Sequence, residues 1–118
     1  MEDTLSETEA LGELLRDHRG ADVLVLDLRK METWTDFFVI ATATSGAHLD
    51  GLERHVRDFC RDRGIEILRR SLRPKGVSSH ETFDEWRIID LGSTVIHLMS
   101  GKARAFYDLE RLYSVNAG

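Results

Sequence analysis

Cysteine and proline are almost absent from this sequence of 118 residues, which contains one of each. The single cysteine, Cys60, excludes an intramolecular disulfide and is typical of a reducing compartment. No apolar run approaches the ~20 residues that a membrane-spanning helix needs. Basic residues are also scarce, since 16 Lys and Arg against 21 Asp and Glu leave a formal net charge of −5. We therefore expect a cytoplasmic protein with no membrane contact and no long-range attraction to nucleic acid.

The rest of the composition is that of one ordinary folded domain. Hydrophobic residues make up 42% of the chain and charged residues 31%, and the chain is long enough to bury a core. The N-terminal stretch is acidic and does not resemble a targeting peptide. We expect a single domain over residues 1–118, with an N-terminal helix within residues 1–20 and a long loop at residues 72–84.

Three segments have the apolar spacing of helices. In the first, Ser6 stands at the N-cap position of a capping box, and Gly20 follows the last turn. The second begins after Ser45, a good N-cap residue, and ends at Gly64. The third is expected over residues 102–113. Its apolar stripe consists of Phe106, Leu109, Leu112 and Tyr113.

Five segments have the composition of strands, at residues 21–28, 37–42, 65–71, 86–91 and 94–99. The first is apolar at almost every position, which is typical of a strand covered on both faces. The last two flank Gly92 and Ser93, which predict a tight two-residue hairpin turn. The helix between the second and third strands favours a parallel crossover. The expected fold class is α/β, a mixed and mostly five-stranded sheet flanked by helices in the order αββαβββα.

The second strand ends in a small, hydroxyl-rich turn, Thr-Ala-Thr-Ser-Gly at residues 42–46. Turns of this kind hold phosphate in many α/β proteins. A phosphate cradle usually contains several glycines or a lysine, whereas here Gly46 stands alone and no lysine lies between Lys30 and Lys75. We therefore interpret Ser45 as a helix cap, and a nucleotide cradle is the alternative.

No pattern of catalytic or metal-binding residues is evident in the sequence. Metal-dependent nucleotidyl transfer needs converging carboxylates, such as an Asp-x-Asp pair, and no predicted strand contains that pair. His48 and His55 lie two turns apart on the second helix, too far to share a metal ion. We interpret His97 as a half-buried, hydrogen-bonded strand residue and Cys60 as a packed thiol. The sequence therefore predicts no catalytic residue, no metal site and no cofactor.

Two further features are open to more than one interpretation. The basic cluster of Arg69, Arg70, Arg73 and Lys75 suggests a solvated strand end or, alternatively, an RNA contact. Trp86, at the start of the first hairpin strand, is either an interface anchor or a residue of the buried core.

Four ordered blocks of the sequence resemble the ribosomal silencing factor (RsfS, Iojap-like) family. The blocks are DVLVLDLR at 22–29, TDFFVIAT at 35–42, WRIIDLG at 86–92 and RAFYDLERL at 104–112. The resemblance implies an α/β domain similar in shape to nucleotidyltransferases but without their catalytic carboxylates. It implies binding to the large ribosomal subunit through its protein L-fourteen, a steric block of subunit association, and repression of translation, especially under nutrient limitation. It also implies homodimers, and no sequence-specific contact with nucleic acid.

The resemblance places the partner-binding surface on the hairpin, at Trp86, Asp90 and Leu91. Trp86 and Leu91 are five residues apart, so a regular strand directs them to opposite faces. Both can touch one partner only if the strand twists or the partner wraps around its edge. Ser93 departs from the family pattern, which commonly has Asp in the turn. A nucleotidyltransferase-type enzyme and a plain homodimeric scaffold protein are the alternatives to a translation repressor.

Overall fold

The computed structural model describes residues 4–72, 85–109 and 111. Its elements in chain order are α1 (Thr4–Asp17), β1 (Ala21–Asp27), β2 (Phe37–Ala43), α2 (Gly46–Arg63), β3 (Arg69–Leu72), β4 (Trp86–Asp90), β5 (Thr94–Ser100) and α3 (Gly101–Tyr107). This order confirms the predicted αββαβββα arrangement. The predicted loop at 72–84 lies outside the described residues, except for Leu72, which ends β3.

The five strands form one mixed sheet in the order β1-β2-β5-β4-β3. β2 pairs in parallel with β5, from Phe37 opposite Thr94 to Ala43 opposite Ser100. The other three pairings are antiparallel. β3 therefore runs parallel to β2, as the predicted crossover requires, but β5 and β4 lie between them. The mixed five-stranded sheet expected from the sequence is confirmed.

Two hydrophobic clusters occupy opposite faces of this sheet, because alternate strand residues point to opposite sides. In β5, Ile96 and Leu98 belong to the first cluster, and Val95 and Met99 belong to the second. Helices α1 and α2 cover the first face. Their contributions are Leu11, Leu15, Leu49, Leu52, Val56 and Cys60. On the second face, here called the α3 face, the only described helix is the seven-residue α3, which contributes Ala103.

Strand β1 contacts both clusters but lies at the edge of the sheet. Val23 and Val25 pack against the first cluster, and Leu24 packs against the second. Leu26 is the one residue of β1 that is fully buried. The prediction of a strand covered on both faces was therefore wrong about the extent of burial, because an edge strand has a neighbouring strand on one side only.

The predicted ends of α2 are confirmed, and the predicted start of α1 was wrong. The Ser45 hydroxyl oxygen accepts a hydrogen bond from the backbone N–H of His48 at 3.1 Å, as an N-cap does. Gly64 closes α2 in the left-handed conformation, with φ of 70°. Ser6 lies inside α1 and not before it.

Helix α3 covers only the first part of the helix predicted at residues 102–113, and Leu109 and Arg111 after it are again helical. It ends at Tyr107, because Asp108 adopts the left-handed conformation with φ of 49°. Of the predicted apolar stripe, Phe106 is 78% exposed and Leu109 packs against the second cluster. The remaining two stripe residues lie outside the described part of the chain. Among the described helices, none is long and apolar enough to cross a membrane.

Candidate partner-binding surface

Trp86 begins β4 and lies among other rings on the α3 face of the sheet. The centroid of its ring is 4.7 Å from that of Tyr107 and 5.8 Å from that of His97. Its indole Nε1 donates a hydrogen bond to Nδ1 of His97 at 3.0 Å. Trp86 is half-buried and packs against the second cluster. It is therefore held by the core on one side and accessible on the other, so the two predicted roles do not exclude each other.

His97 lies beneath Trp86 and is 4% exposed, with its ring centroid 4.4 Å from that of Phe38. Burial lowers the pKa of His97 to about 4, so the ring is neutral at pH 7. Because Nδ1 accepts the indole N–H, the ring proton resides on Nε2. Nε2 is buried and has no hydrogen-bond partner among the described residues. The predicted hydrogen bond of His97 is confirmed, but the side chain is buried and not half-buried.

Three further aromatic side chains are exposed to solvent and are linked to Trp86 by ring contacts, directly or through other rings. The exposed fractions are 65% for Trp34, 78% for Phe106 and 38% for Tyr107. Trp34 packs edge-on against Phe38, and Phe106 packs edge-on against Tyr107. We name Trp34, Trp86, Phe106 and Tyr107 the aromatic surface. Large exposed aromatic side chains that lie together mark an interaction site.

Sequence reasoning missed most of this surface. Trp34 lies between β1 and β2, outside any periodic segment, so no pattern distinguished it from a core residue. Phe106 was assigned to a buried stripe because its spacing from Leu109 is helical, but Asp108 interrupts the helix between these two residues. The only signal available was composition, since Trp and Tyr are enriched among interface anchors.

Asp90 shapes the hairpin turn from inside the protein. Its Oδ1 accepts a hydrogen bond from the backbone N–H of Gly92 at 2.8 Å, and its Oδ2 lies 3.3 Å from Nη2 of Arg69. Gly92 has φ of 94°, a conformation that favours glycine. The hydroxyl of Thr35 donates to the carbonyl oxygen of Gly92 at 2.9 Å. The turn is therefore fixed from two sides, and the Asp90 carboxylate already has partners within the chain.

Leu91 points away from the aromatic surface. It packs against the first cluster, whereas Trp86 packs against the second. The expectation that these two residues face opposite sides of the sheet is confirmed. The structure brings Trp86 and Asp90 to one face of β4, where they are four residues apart, and leaves Leu91 at the end of the hairpin on the other side.

The remaining candidate residues have structural roles. Cys60 is buried, and desolvation raises the pKa of its thiol to about 11, which confirms a packed thiol. Nδ1 of His48 accepts the backbone N–H of the residue four before it, and the ring of His55 stacks on that of His18 at 3.5 Å. Within the described ranges, no group of three or more His, Cys, Asp and Glu residues is arranged to hold a metal ion.

Solved structures with a similar fold are known. A crystal structure of a protein from Chromobacterium violaceum is similar with a TM-score of 0.76 and 29% sequence identity, covering 97% of this chain and 88% of that one. In sequence, the chain is 39% identical over 104 residues to the ribosomal silencing factor RsfS of Treponema pallidum, covering 88% of this chain and 86% of the relative.

A longer relative and a family model extend the comparison. The chain is 29% identical over 109 residues to a Mus musculus protein named for mitochondrial assembly of the ribosomal large subunit, and it spans 46% of that protein. The family model described as "Ribosomal silencing factor during starvation" matches residues 1–117. The chain belongs to this family, which confirms the resemblance of the four sequence blocks. Membership supports a ribosome-associated, translation-silencing role in a regulatory family.

Proposed function

We propose that this protein binds the large ribosomal subunit through ribosomal protein L-fourteen and sterically blocks its association with the small subunit. Translation is thereby repressed, especially when nutrients are limiting. Family membership supports the ribosome association. The observation that carries the mode of binding is the aromatic surface, because Trp34, Phe106 and Tyr107 are exposed around the half-buried Trp86, whereas most large apolar side chains of the described residues are buried.

A partner that covers the aromatic surface removes large rings from water. A well-packed aromatic anchor contributes about 2 kcal/mol or more to binding, judged by its truncation. A steric block needs no catalysis, only an affinity that competes with subunit joining. A set of exposed rings around the half-buried Trp86 meets that requirement.

Trp86, Asp90 and Leu91 take different parts in the proposed contact. Trp86 is the apolar anchor, since it is half-buried and held in place by His97. Asp90 lies on the same face and provides negative charge near a basic group of the partner. The Leu91 side chain lies on the opposite face. It contacts the partner at the end of the hairpin, where the partner passes from one face to the other.

A homodimer in the cytoplasm, formed without the ribosome, is part of the same proposal. Two copies that meet through the aromatic surface would bury the same rings that the ribosomal protein covers, so the dimer and the ribosome complex would compete. Sedimentation velocity of the purified protein tests this dimer. We expect a concentration-dependent dimer that the exposed-surface variant Phe106→Ser weakens, and a monomer at all concentrations would contradict it.

Sucrose-gradient sedimentation of a lysate tests the ribosome association. We expect the protein to migrate with free large subunits and not with joined ribosomes. Light scattering of purified subunits then tests the block, since protein added before mixing should reduce the fraction of joined ribosomes. A protein that stays at the top of the gradient, or that leaves subunit joining unchanged, would contradict the proposal. Phe106→Ser is the matched variant for both assays. It should weaken both effects without unfolding the protein, because the Phe106 side chain is exposed.

A further inference from the structure

A shallow crevice lined by three arginines lies between α2 and the start of β3. Its lining residues are Arg57, Ile67, Leu68, Arg69 and Arg70. None of these is acidic, although the whole chain has a net charge of −5. We name it the arginine crevice.

The backbone on one side of the crevice is fixed by the neighbouring strand. Residues 65–68, which were predicted to be part of the third strand, precede β3, which begins at Arg69. Within them, Ile67 packs against the first cluster, and the Leu68 N–H donates to the carbonyl oxygen of Asp90 at 2.8 Å. The arginines that follow therefore extend from a paired strand and not from an unsupported loop.

Ion pairs within the chain occupy only some of the N–H donors of the three arginines in the crevice. Arg57 makes no ion pair with another described residue. Arg69 pairs with Asp90 at 3.3 Å, and its side chain is 80% exposed. Arg70 pairs with Glu53 at 3.0 Å. Because each guanidinium carries five N–H donors in a planar fork, all three groups retain donors for an anion.

The arginine crevice adjoins the hairpin of the candidate partner-binding surface. Arg69 contacts Asp90, and a Cβ placed on Gly92 would lie 3.2 Å from Cδ1 of Leu68. A partner that passes over the end of the hairpin, as proposed for Leu91, therefore brings its neighbouring surface to the crevice on the α2 side of the sheet. If the partner belongs to the large ribosomal subunit, that surface includes RNA as well as protein.

We propose that the arginine crevice binds phosphate groups of the ribosomal RNA backbone when the hairpin is seated on the large subunit. This inference rests on the proposed function. The guanidinium fork fits a phosphate in two-point contact, and contacts of this kind position a protein without reading sequence. The crevice therefore acts as a second contact that sets the orientation of the protein on the subunit.

The test measures the affinity of Arg57→Gln for purified large subunits over a range of KCl concentrations. Arg57 is exposed and unpaired among described residues, so the fold should be retained, with circular dichroism as the control. We expect affinity to fall roughly threefold or more at low salt. The slope of log affinity against log salt should decrease by about 0.9 for each phosphate that the variant no longer neutralises. Arg61→Gln, on the same helix but outside the crevice, should change neither value.

A parallel measurement with isolated ribosomal protein L-fourteen, free of RNA, separates the outcomes. We expect the wild type and Arg57→Gln to bind it equally. If Arg57→Gln binds large subunits with wild-type affinity and salt slope, the inference is overturned while the proposed function stands. If it also binds the isolated protein less tightly, the crevice meets an acidic protein surface and the RNA contact is wrong. If the wild type binds neither target, the proposed function and the inference both fail.

Discussion

The indole Nε1 of Trp86 donates to Nδ1 of His97 across neighbouring strands, at 3.0 Å. In the sheet, Trp86 lies opposite Met99 and His97 lies opposite Ile88, so the bond runs diagonally over the α3 face. It fixes the orientation of the indole ring and the tautomer of the imidazole at once. An anchor that is already oriented loses less side-chain freedom on binding, which favours affinity.

Replacement of this anchor should weaken partner binding. We predict that Trp86→Ala lowers the affinity for isolated ribosomal protein L-fourteen by ~2 kcal/mol or more, roughly thirtyfold, measured by calorimetry. Thermal unfolding followed by circular dichroism serves as the folding control, because Trp86 also packs against the second cluster. A folded Trp86→Ala variant that binds at full strength would place the interface elsewhere.

The exposed neighbour of Trp86 gives a cleaner version of this experiment. Phe106 is on the surface, so Phe106→Ser should leave the melting temperature nearly unchanged and still reduce binding. Trp86→Phe retains an aromatic ring and removes the indole donor. It should therefore bind with an affinity between those of the wild type and Trp86→Ala.

The buried imidazole of His97 makes stability depend on pH. Its pKa is about 4 in the folded protein and 6.5 in the reference state, so the folded state resists protonation. The stabilisation is complete above pH 6.5 and is lost progressively as pH falls from 6.5 towards 4. We predict that the free energy of unfolding in urea decreases by about 2 kcal/mol between pH 7 and pH 5 from this group.

Two glutamine variants identify the source of that pH dependence. His97→Gln should be less stable at pH 7 and should show a flatter pH dependence. The pKa of His55 is also lowered, first by desolvation and then by the positive charge of His18 and Arg54. His55→Gln should therefore remove a separate contribution to the pH dependence of the free energy of unfolding. An unchanged pH dependence in His97→Gln would show that the imidazole is not the titrating group.

Short-range patterns predicted those parts of the fold that depend on neighbouring residues. Ser45 and Gly64 bound α2 as expected, because a cap needs only the adjacent turn. The tight turn at Gly92 is likewise local. The pairing of β2 with β5 could not be predicted, since these strands are far apart in the chain. The end of α3 was missed because the left-handed conformation of Asp108 has no signal in the sequence.

The candidate site shows the same limit. Arg57 lies four residues after Glu53 on α2, but Glu53 contacts Arg70 of β3 and Arg87 of β4. Arg57 therefore has no ion pair with Glu53, and its side chain lines the crevice. Such long-range partners depend on sheet order, so residue spacing alone does not reveal them. The family resemblance, and not residue spacing, predicted the partner-binding role of Trp86, Asp90 and Leu91. Their contacts with a partner remain predictions.

The cap of α2 provides a variant that should affect stability alone. The Ser45 hydroxyl oxygen accepts the His48 N–H, and Ser45→Ala should cost about 1 kcal/mol of unfolding free energy. Binding to large ribosomal subunits should not change, and ATP or GTP should give no heat in calorimetry with the wild type. Nucleotide binding that disappears in Ser45→Ala would instead support the phosphate cradle.

Asp90 distinguishes a residue that shapes the turn from one that contacts the partner. Asp90→Ala removes the acceptor of the Gly92 N–H and the partner of Arg69, so it should destabilise the protein by about 1–2 kcal/mol. Asp90→Asn keeps an oxygen acceptor for Gly92 and removes only the charge. We predict that it retains most of the stability.

The binding of Asp90→Asn then decides the role of the charge. If the carboxylate faces a basic group of ribosomal protein L-fourteen, Asp90→Asn should bind that protein roughly threefold or more weakly at low salt. The difference should change little with salt concentration, because Asp90 is buried and a buried charge is screened much less than an exposed one. Equal binding by Asp90→Asn and the wild type at every salt concentration would confine Asp90 to the turn. The proposed contact would then consist of the aromatic surface and Leu91. The comparison is direct, because the Gly92 hydrogen bond is preserved in this variant and the hairpin keeps its shape.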